Sequence, residues 1–194
     1  MDELSKRRKW RRWLSIIEAE NQRLQEDHRL YTELREHLRE KPEWISWIDT
    51  LYLVGVSLAL RRLVDANPRH RTVSLVKLLT EMETHVECLS RRRVLLQAKP
   101  AQRAEIHGFF DRIAGEGATT IPPSVIRQWR EEFKHLAAPF RAWVDHRIAH
   151  YDLSVDCPPP DRAQVEQVLQ WLCSRLEIVK VLLVVHQTDY HASS

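Results

Sequence analysis

Glycine is scarce in this chain, with four residues in 194. Strict alternation of apolar and polar residues, the pattern of a half-buried strand, is equally scarce. Apolar residues instead recur every three or four positions through long segments, which is the spacing of one face of an α-helix. These features exclude a turn-rich β architecture, and the sequence predicts an all-α protein with no sheet beyond an isolated bridge.

The three cysteines, Cys88, Cys157 and Cys173, lie far apart and show no paired spacing. They exclude a disulfide framework and a recognisable zinc motif, and they favour a reducing compartment. The longest apolar run, 181–185, is too short to cross a bilayer, and the charged N-terminus lacks the apolar centre of a signal peptide. We therefore expect a cytoplasmic protein that has no membrane partner.

A large excess of one charge is also absent, because the formal net charge is only +3. This value is too small to identify a nucleic-acid partner, and contents of 43% hydrophobic and 29% charged residues are those of an ordinary soluble domain. The distribution of the cations says more than their number. One basic block contains Lys6, Arg7, Arg8, Lys9, Arg11 and Arg12.

The basic block also contains Trp10 and is followed by Trp13. Attraction to phosphates, together with stacking of bases on tryptophan, would hold single-stranded nucleic acid. In the alternative interpretation, the two tryptophans anchor one helix face to the core and the cations form its solvated flank. The sequence leaves both interpretations open.

Prolines divide the chain into helices, because proline lacks an amide donor and disfavours helix in the residue before it. The second helix is apolar on nearly all sides, so it is predicted to be central and largely buried. A weak apolar stretch at 24–31 leaves a break in the first helix open. We assign 1–42 to an N-terminal basic helical segment and 43–194 to a helical bundle domain. The predicted helices are residues 3–39, 43–66, 72–97, 101–113, 124–150 and 161–186.

The segment 145–152 holds two histidines, an arginine and two aspartates. In a helix, His146 and His150 would lie one turn apart on one face, beside Arg147. Two imidazoles next to a permanent cation suit proton transfer near a phosphate. The same residues also fit a plain helix end with charged caps. The histidine spacing is compatible with a metal, but apart from Asp152 nothing completes a recognisable site, so we expect neither a metal nor another cofactor.

The pattern Asp-x-Arg-Ile-Ala-His-x-Asp at 145–152, downstream of 61–65 and 74–79, resembles the HEPN superfamily. It is most similar to the branch associated with type-U abortive-infection proteins, and the resemblance covers 43–186. That family is a helical bundle that commonly dimerises, and many of its members are metal-independent ribonucleases, toxins or phage-defence effectors. The resemblance therefore implies a HEPN-like helical bundle, which here carries a long N-terminal helix.

The resemblance also implies roles for the residues of this segment. His150 matches the histidine of the family's nuclease signature, and Asp145 matches its polar position. His150 would act as base or acid, with His146 (or a histidine of a second copy) in the other role, and Arg147 would contact the phosphate. The signature arginine, expected with four to six residues between it and the histidine, is missing. Val144 stands in its place, which favours a catalytically silent member as the alternative.

Arg62 and Asp65 lie three residues apart on the very apolar second helix. A buried arginine needs a carboxylate partner, because an unpaired buried charge is costly. We expect a structural ion pair between Arg62 and Asp65, Asp145 or Asp152. Direct contact of Arg62 with RNA is the alternative.

Together these features favour a HEPN-like protein of bacterial phage defence or of a toxin–antitoxin system. It would bind RNA, cleave it as a metal-independent endoribonuclease, and form a homodimer. The first alternative is a silent HEPN-like module that binds a protein partner, either an antitoxin or a larger defence effector. The second is a purely structural helical adaptor.

Overall fold

The chain is built from α-helices, as its apolar spacing predicts. The computed structural model describes residues 2–150, 152 and 154–184. The only sheet-like contact in these residues is an isolated antiparallel bridge between Ser90 and Thr120. The helices are Glu3–His37 (α1), Pro42–Leu63 (α2), Leu75–Thr84 (α3), Arg91–Gln97 (α4), Arg103–Ala114 (α5), Pro123–Trp143 (α6) and Arg162–Val184 (α7). Two short 3-10 turns, Val86–Leu89 and Pro100–Gln102, and a π-helical turn, Val144–Ile148, complete the regular structure.

The N-terminal helix α1 is continuous over 35 residues, so the weak stretch at 24–31 does not break it. It begins at Asp2, whose side chain accepts a hydrogen bond from the Ser5 amide at 2.9 Å. The helix packs against α2, α3 and α7, so it shares one core with the rest of the bundle. Its buried apolar residues are Trp10, Leu14, Ile17 and Leu24.

The predicted third helix, 72–97, is interrupted, which corrects the sequence-based assignment. It consists of α3, a 3-10 turn and α4. Ser74 caps the N-terminus of α3, because its side chain accepts a hydrogen bond from the Lys77 amide at 3.1 Å. The break has a long-range cause, because Ser90 forms the bridge to Thr120 and the Arg91 amide donates to the Thr119 carbonyl at 2.8 Å. The loop that follows α5 therefore forms hydrogen bonds with backbone groups of 90–91 that would bond within the helix if it were continuous.

The second helix, α2, is not largely buried, and that prediction is wrong. One face of α2 packs against α1 and α6, while the opposite face is open. We call the apolar residues of the open face the α2 stripe; each is at least 37% exposed. By length and composition, α2 is also the one described helix that could cross a bilayer, a test that helices of soluble proteins pass as well. The α2 stripe consists of Trp44, Trp47, Leu51 and Leu58.

Helix α6 carries the segment 145–152 at its C-terminal end. It packs against α2, α3 and α7, and Phe133 stacks on Trp171 of α7 with ring centroids 5.3 Å apart. These contacts fix the end of α6 close to α2. The apolar side chains that α6 buries are Ile126, Trp129, Phe133, Ala137 and Phe140.

Candidate functional site at the end of α6

The end of α6 widens into a π-helical turn at Val144–Ile148, in which the Ala149 amide donates to the Val144 carbonyl at 2.8 Å. Such turns insert one residue into the helical repeat and are frequent at functional sites. Val144 itself is buried. His150 lies beyond the turn and is exposed, so regular helical geometry does not set its orientation relative to His146.

Asp145 lies between two arginines. Its Oδ1 accepts a hydrogen bond from Nε of Arg61 on α2 at 2.9 Å, and its Oδ2 is 3.5 Å from Nε of Arg141. All three side chains are at least one-third exposed, so solvent screens their attraction. Two cations facing one carboxylate leave an excess of positive charge next to His146.

Arg147 holds the loop that follows the π turn. Its Nη1 donates to the Asp152 carbonyl at 3.1 Å, and its Nη2 donates to the Val155 carbonyl at 2.9 Å. The flat fork of the guanidinium group is therefore directed at the carbonyls of Asp152 and Val155. For Arg147 to contact a phosphate, its guanidinium would have to break or rearrange these two hydrogen bonds.

His146 faces Asp152, with 3.6 Å between Nδ1 and Oδ2. The other carboxylate oxygen of Asp152 accepts hydrogen bonds from the Ser154 hydroxyl at 2.6 Å and the Ser154 amide at 2.9 Å. These bonds from Ser154, with a smaller contribution from His146, lower the pKa of Asp152. An ionised Asp152 next to the imidazole orients the His146 ring. The His150 side chain has no hydrogen bond or ion pair with any residue in the described part of the chain, although its carbonyl accepts from the Asp152 amide at 2.9 Å.

Arg62 forms an ion pair with a carboxylate, as expected, but the partner is not Asp65, Asp145 or Asp152. Arg62 is 58% exposed and donates to Oε1 of Glu20 on α1 at 2.5 Å. Helix α2 ends at Leu63, so the helical spacing from Arg62 to Asp65 does not continue to the aspartate. The neighbouring Arg61, which the sequence argument did not single out, faces the α6 site instead.

Asp65 instead organises the turn after α2. Its carboxylate accepts hydrogen bonds from the Asn67 amide at 3.1 Å, from Nδ1 of His70 at 3.0 Å and from the Thr72 hydroxyl at 2.9 Å. Nζ of Lys77 lies 3.7 Å away. These contacts lock the turn that leads into α3.

Most of the basic block on α1 contacts the protein itself. Arg7 is buried, and its guanidinium donates to the carbonyls of Cys88 at 2.5 Å and Leu182 at 3.0 Å and to the Gln97 side chain at 2.9 Å. Burial, and then the charge of Arg11, lower the pKa of Arg7 to about 10. Arg7 therefore has no surface to offer a nucleic acid.

The other cations of the block divide into two groups. Lys6 donates to Nδ1 of His85 at 3.0 Å, Lys9 pairs with Glu81 at 2.5 Å, and Arg11 donates to the Leu183 carbonyl at 2.6 Å. Trp10 is buried and donates to Glu81 at 2.9 Å. Among the described residues, the members that are exposed and have no polar partner are Arg8 and Arg12.

Comparison of the chain with known protein families, curated proteins and solved structures finds no significant match. Within the residues the structure describes, no group of three or more histidine, cysteine, aspartate or glutamate side chains is placed to hold a metal ion. The site at the end of α6 must therefore be interpreted from its own residues. These comprise two imidazoles, a carboxylate that orients one of them, and a pair of arginines around Asp145.

Proposed function

We propose that this chain is a HEPN-like bundle protein of phage defence or of a toxin–antitoxin system that acts in the cytoplasm. It binds RNA at the end of α6 and cleaves it without a metal. The observation that carries this proposal is the pair of histidines on one short segment, with His146 facing Asp152 and His150 open to solvent. Imidazoles can both accept and donate a proton near neutral pH, as cleavage by internal transfer requires.

The chemistry divides between the two histidines. His150 removes the proton from a ribose 2′-hydroxyl, and that oxygen forms a bond to the neighbouring phosphorus. The bond from phosphorus to the 5′-oxygen breaks, and this oxygen takes a proton from His146. Asp152 orients the His146 ring before the reaction, because its carboxylate lies 3.6 Å from Nδ1 of that ring.

The positive charge that this reaction needs comes from Arg61 and Arg141 in this proposal. Both guanidinium groups converge on Asp145, directly beside His146 in the chain. Because they outnumber the carboxylate, a bound phosphate would complete the balance of charge. Arg147 acts through the loop at 152–155, which carries the carboxylate that orients His146.

The test is cleavage of labelled RNA by the parent protein and by His150→Ala, His146→Ala and His135→Ala, each with and without EDTA. Loss of a general acid or base lowers the rate by about 100-fold to 10,000-fold. We expect losses of this size for the first two variants only, and no effect of EDTA. His135 is the matched control, because it is an exposed histidine on α6 outside the site.

Two outcomes would contradict the cleavage proposal. Equal cutting by the parent and by His150→Ala would assign the activity to a contaminant or to another site. A parent protein that is folded, as judged by circular dichroism, and leaves RNA intact would show that the site is silent.

A second candidate function is a silent HEPN-like module that binds an antitoxin or a larger defence effector. The observation that favours it is the missing signature arginine. Val144 is buried in that position, and the nearby Arg147 is bound to the loop. This alternative predicts that His150→Ala leaves both stability and partner capture unchanged.

We also propose that two copies of the chain pack through the α2 stripe. Its residues are spaced by three, four and seven positions, the spacing of a seam between packed helices. Arg61 follows three residues after Leu58, so the stripe leads to the α6 site. A second copy on this face would cover exposed tryptophans and bring the two sites to one interface.

Sedimentation of Leu51→Lys and Leu96→Lys tests this dimer. Both leucines are exposed, but Leu96 lies on α4, away from α2. We expect Leu51→Lys to give the 23.0 kDa monomer and Leu96→Lys to remain dimeric. A monomeric parent would contradict the proposal, and a monomeric parent that floats with lipid vesicles would assign the stripe to a membrane surface.

A further inference from the structure

A cavity of about 840 Å³ lies between α4, α5 and the loop at 115–120. The loop turns at Gly115 and Gly117, whose φ angles of 95° and 70° favour glycine. It is tied to the start of α4 by the Ser90–Thr120 bridge and by the hydrogen bond from the Arg91 amide to Thr119. We call this space the α4–α5 cavity; it lies on elements that the α6 site does not use.

The lining of the α4–α5 cavity carries more cationic than anionic side chains. Arg91, Arg92, Arg103 and His107 line it, against a single carboxylate, Glu87. Glu87 already faces Lys6 at 3.7 Å and His85 at 3.3 Å. The side chains of Arg92 and Arg103 have no hydrogen bond or ion pair with any described residue. Two guanidinium groups beside one cavity are therefore free to bind an anion.

Arg91 supplies the rigid frame of this cavity. Its Nε donates to the Ala118 carbonyl at 2.8 Å, and its Nη2 donates to the Asp111 carboxylate at 2.5 Å. Its guanidinium lies 5.2 Å from the ring centroid of Phe110. Asp111 also accepts a hydrogen bond from the Gly117 amide at 3.2 Å, so one carboxylate fixes both Arg91 and the loop. The cavity is thus formed before any ligand arrives.

One wall of the cavity is apolar. Leu95 and Leu96 of α4 line it, and Leu96 is 69% exposed beside the free guanidinium groups. A ligand that matches this surface needs an anionic group and an uncharged flat or apolar body. The volume falls within the range of small-molecule sites, roughly 300–1,000 Å³, and far exceeds the needs of an inorganic anion.

We propose that the α4–α5 cavity binds the phosphate of a nucleotide, either as a free mononucleotide or at the 5′ end of an RNA strand. Arg92 and Arg103 hold the phosphate oxygens, which their planar forks of donors match. The nucleoside lies against Leu95 and Leu96. This inference goes beyond the proposed function and does not depend on cleavage, because it uses neither histidine of the α6 site.

The test measures fluorescence polarisation of a labelled 2′-O-methyl RNA decamer, which cannot be cleaved by 2′-oxygen attack. The decamer is compared with a 5′-phosphate and with a 5′-hydroxyl, and binding of AMP is measured in parallel by calorimetry. The variants are Arg92→Ser/Arg103→Ser and the control Arg8→Ser/Arg12→Ser. The control removes the same charge from two other exposed, unpaired arginines.

We expect the parent to bind AMP, to bind the 5′-phosphate decamer at least about tenfold more tightly than the 5′-hydroxyl decamer, or both. The tenfold ratio is the affinity expected from the contacts to one phosphate. AMP binding without a 5′ preference supports the free nucleotide, and the reverse supports the strand end. In either case the observed effect, AMP binding or the preference for the 5′-phosphate decamer, is lost in Arg92→Ser/Arg103→Ser and kept in Arg8→Ser/Arg12→Ser. The proposal is overturned by absence of both effects, by equal losses in the two double variants, or by inorganic phosphate competing as well as AMP.

Discussion

Arg7 and Arg8 are neighbours in sequence with opposite surroundings. The Arg7 guanidinium is buried among backbone carbonyls of the 3-10 turn and of α7, whereas Arg8 is exposed. Arg7→Ala removes the donors of several buried acceptors, each worth about 1 kcal/mol, so we expect the free energy of unfolding to fall by ~3 kcal/mol. Arg8→Ala should change it by less than about 0.5 kcal/mol. Urea denaturation of both variants measures the difference.

A further variant, Arg7→Lys, separates geometry from charge. Lysine keeps the charge but lacks the planar fork that reaches four acceptors at once, so it should recover only part of the lost stability. Equal unfolding free energies for Arg7→Ala and Arg8→Ala would show that the buried hydrogen bonds of Arg7 contribute nothing net.

Asp65 makes the free energy of unfolding depend on pH in the acid range. Burial alone would raise its pKa, but the Asn67 amide, the side chains of His70 and Thr72, and the charge of Lys77 outweigh burial and lower the pKa to about 2 from an ordinary 3.8. A carboxylate with a lowered pKa stabilises the folded state above its unfolded pKa, and this contribution is lost as the pH falls through the folded value. Its size is about 2 kcal/mol.

The prediction is that Asp65→Asn is less stable than the parent at pH 6 and that the gap closes between about pH 4 and pH 2. Urea denaturation at a series of pH values measures the gap. Asp156→Asn, an exposed position, serves as the control and should follow the parent throughout. A gap that stays constant down to pH 2 would mean that Asp65 acts through packing and not through its charge.

At the scale of elements, the π turn and the loop after it depend on Arg147. Its two hydrogen bonds to the carbonyls of Asp152 and Val155 hold the loop against the end of α6. Lysine cannot span both carbonyls as a planar fork does. We expect Arg147→Lys to speed amide hydrogen exchange at Ser154 by about tenfold while leaving the thermal melt nearly unchanged. Arg141→Lys is the control, and equal exchange rates in the two variants would refute this role.

The helices show how far local pattern determines structure. Helices α1 and α5 begin and end, and α7 begins, within about three residues of their predicted bounds, because proline, an aspartate cap and apolar spacing are local signals. The predicted end of α7, at residue 186, lies outside the described residues. The interruption between α3 and α4 follows from contacts with Thr119 and Thr120, which apolar spacing does not encode. The exposure of α2 was not predicted for a related reason. A helix that is apolar on all sides has the same sequence pattern whether the face opposite its packed face is covered or open.

At the scale of the whole molecule, the packing of the helices determines which contacts of the candidate site the sequence could predict. Proximity of His146 to Asp152 follows from their short separation in sequence, so it was within reach of sequence reasoning. The positions of Arg61 beside Asp145 and of Glu20 beside Arg62 depend on how α2 rotates against α1 and α6. The burial of Arg7 likewise depends on α7, which lies at the other end of the chain.

The contact between α1 and α7 also has a consequence for synthesis. Helix α1 is synthesised before α7, which covers it, since Arg7 and Arg11 bind carbonyls of Leu182 and Leu183. At about 5–20 residues per second, roughly 7–30 s separate the synthesis of α1 from that of Leu183. Throughout that time the face of α1 that packs against α7 is uncovered. The nascent protein therefore presents an unfinished apolar helix to chaperones and proteases, and its yield in a cell depends on this interval as well as on the stability of the finished bundle.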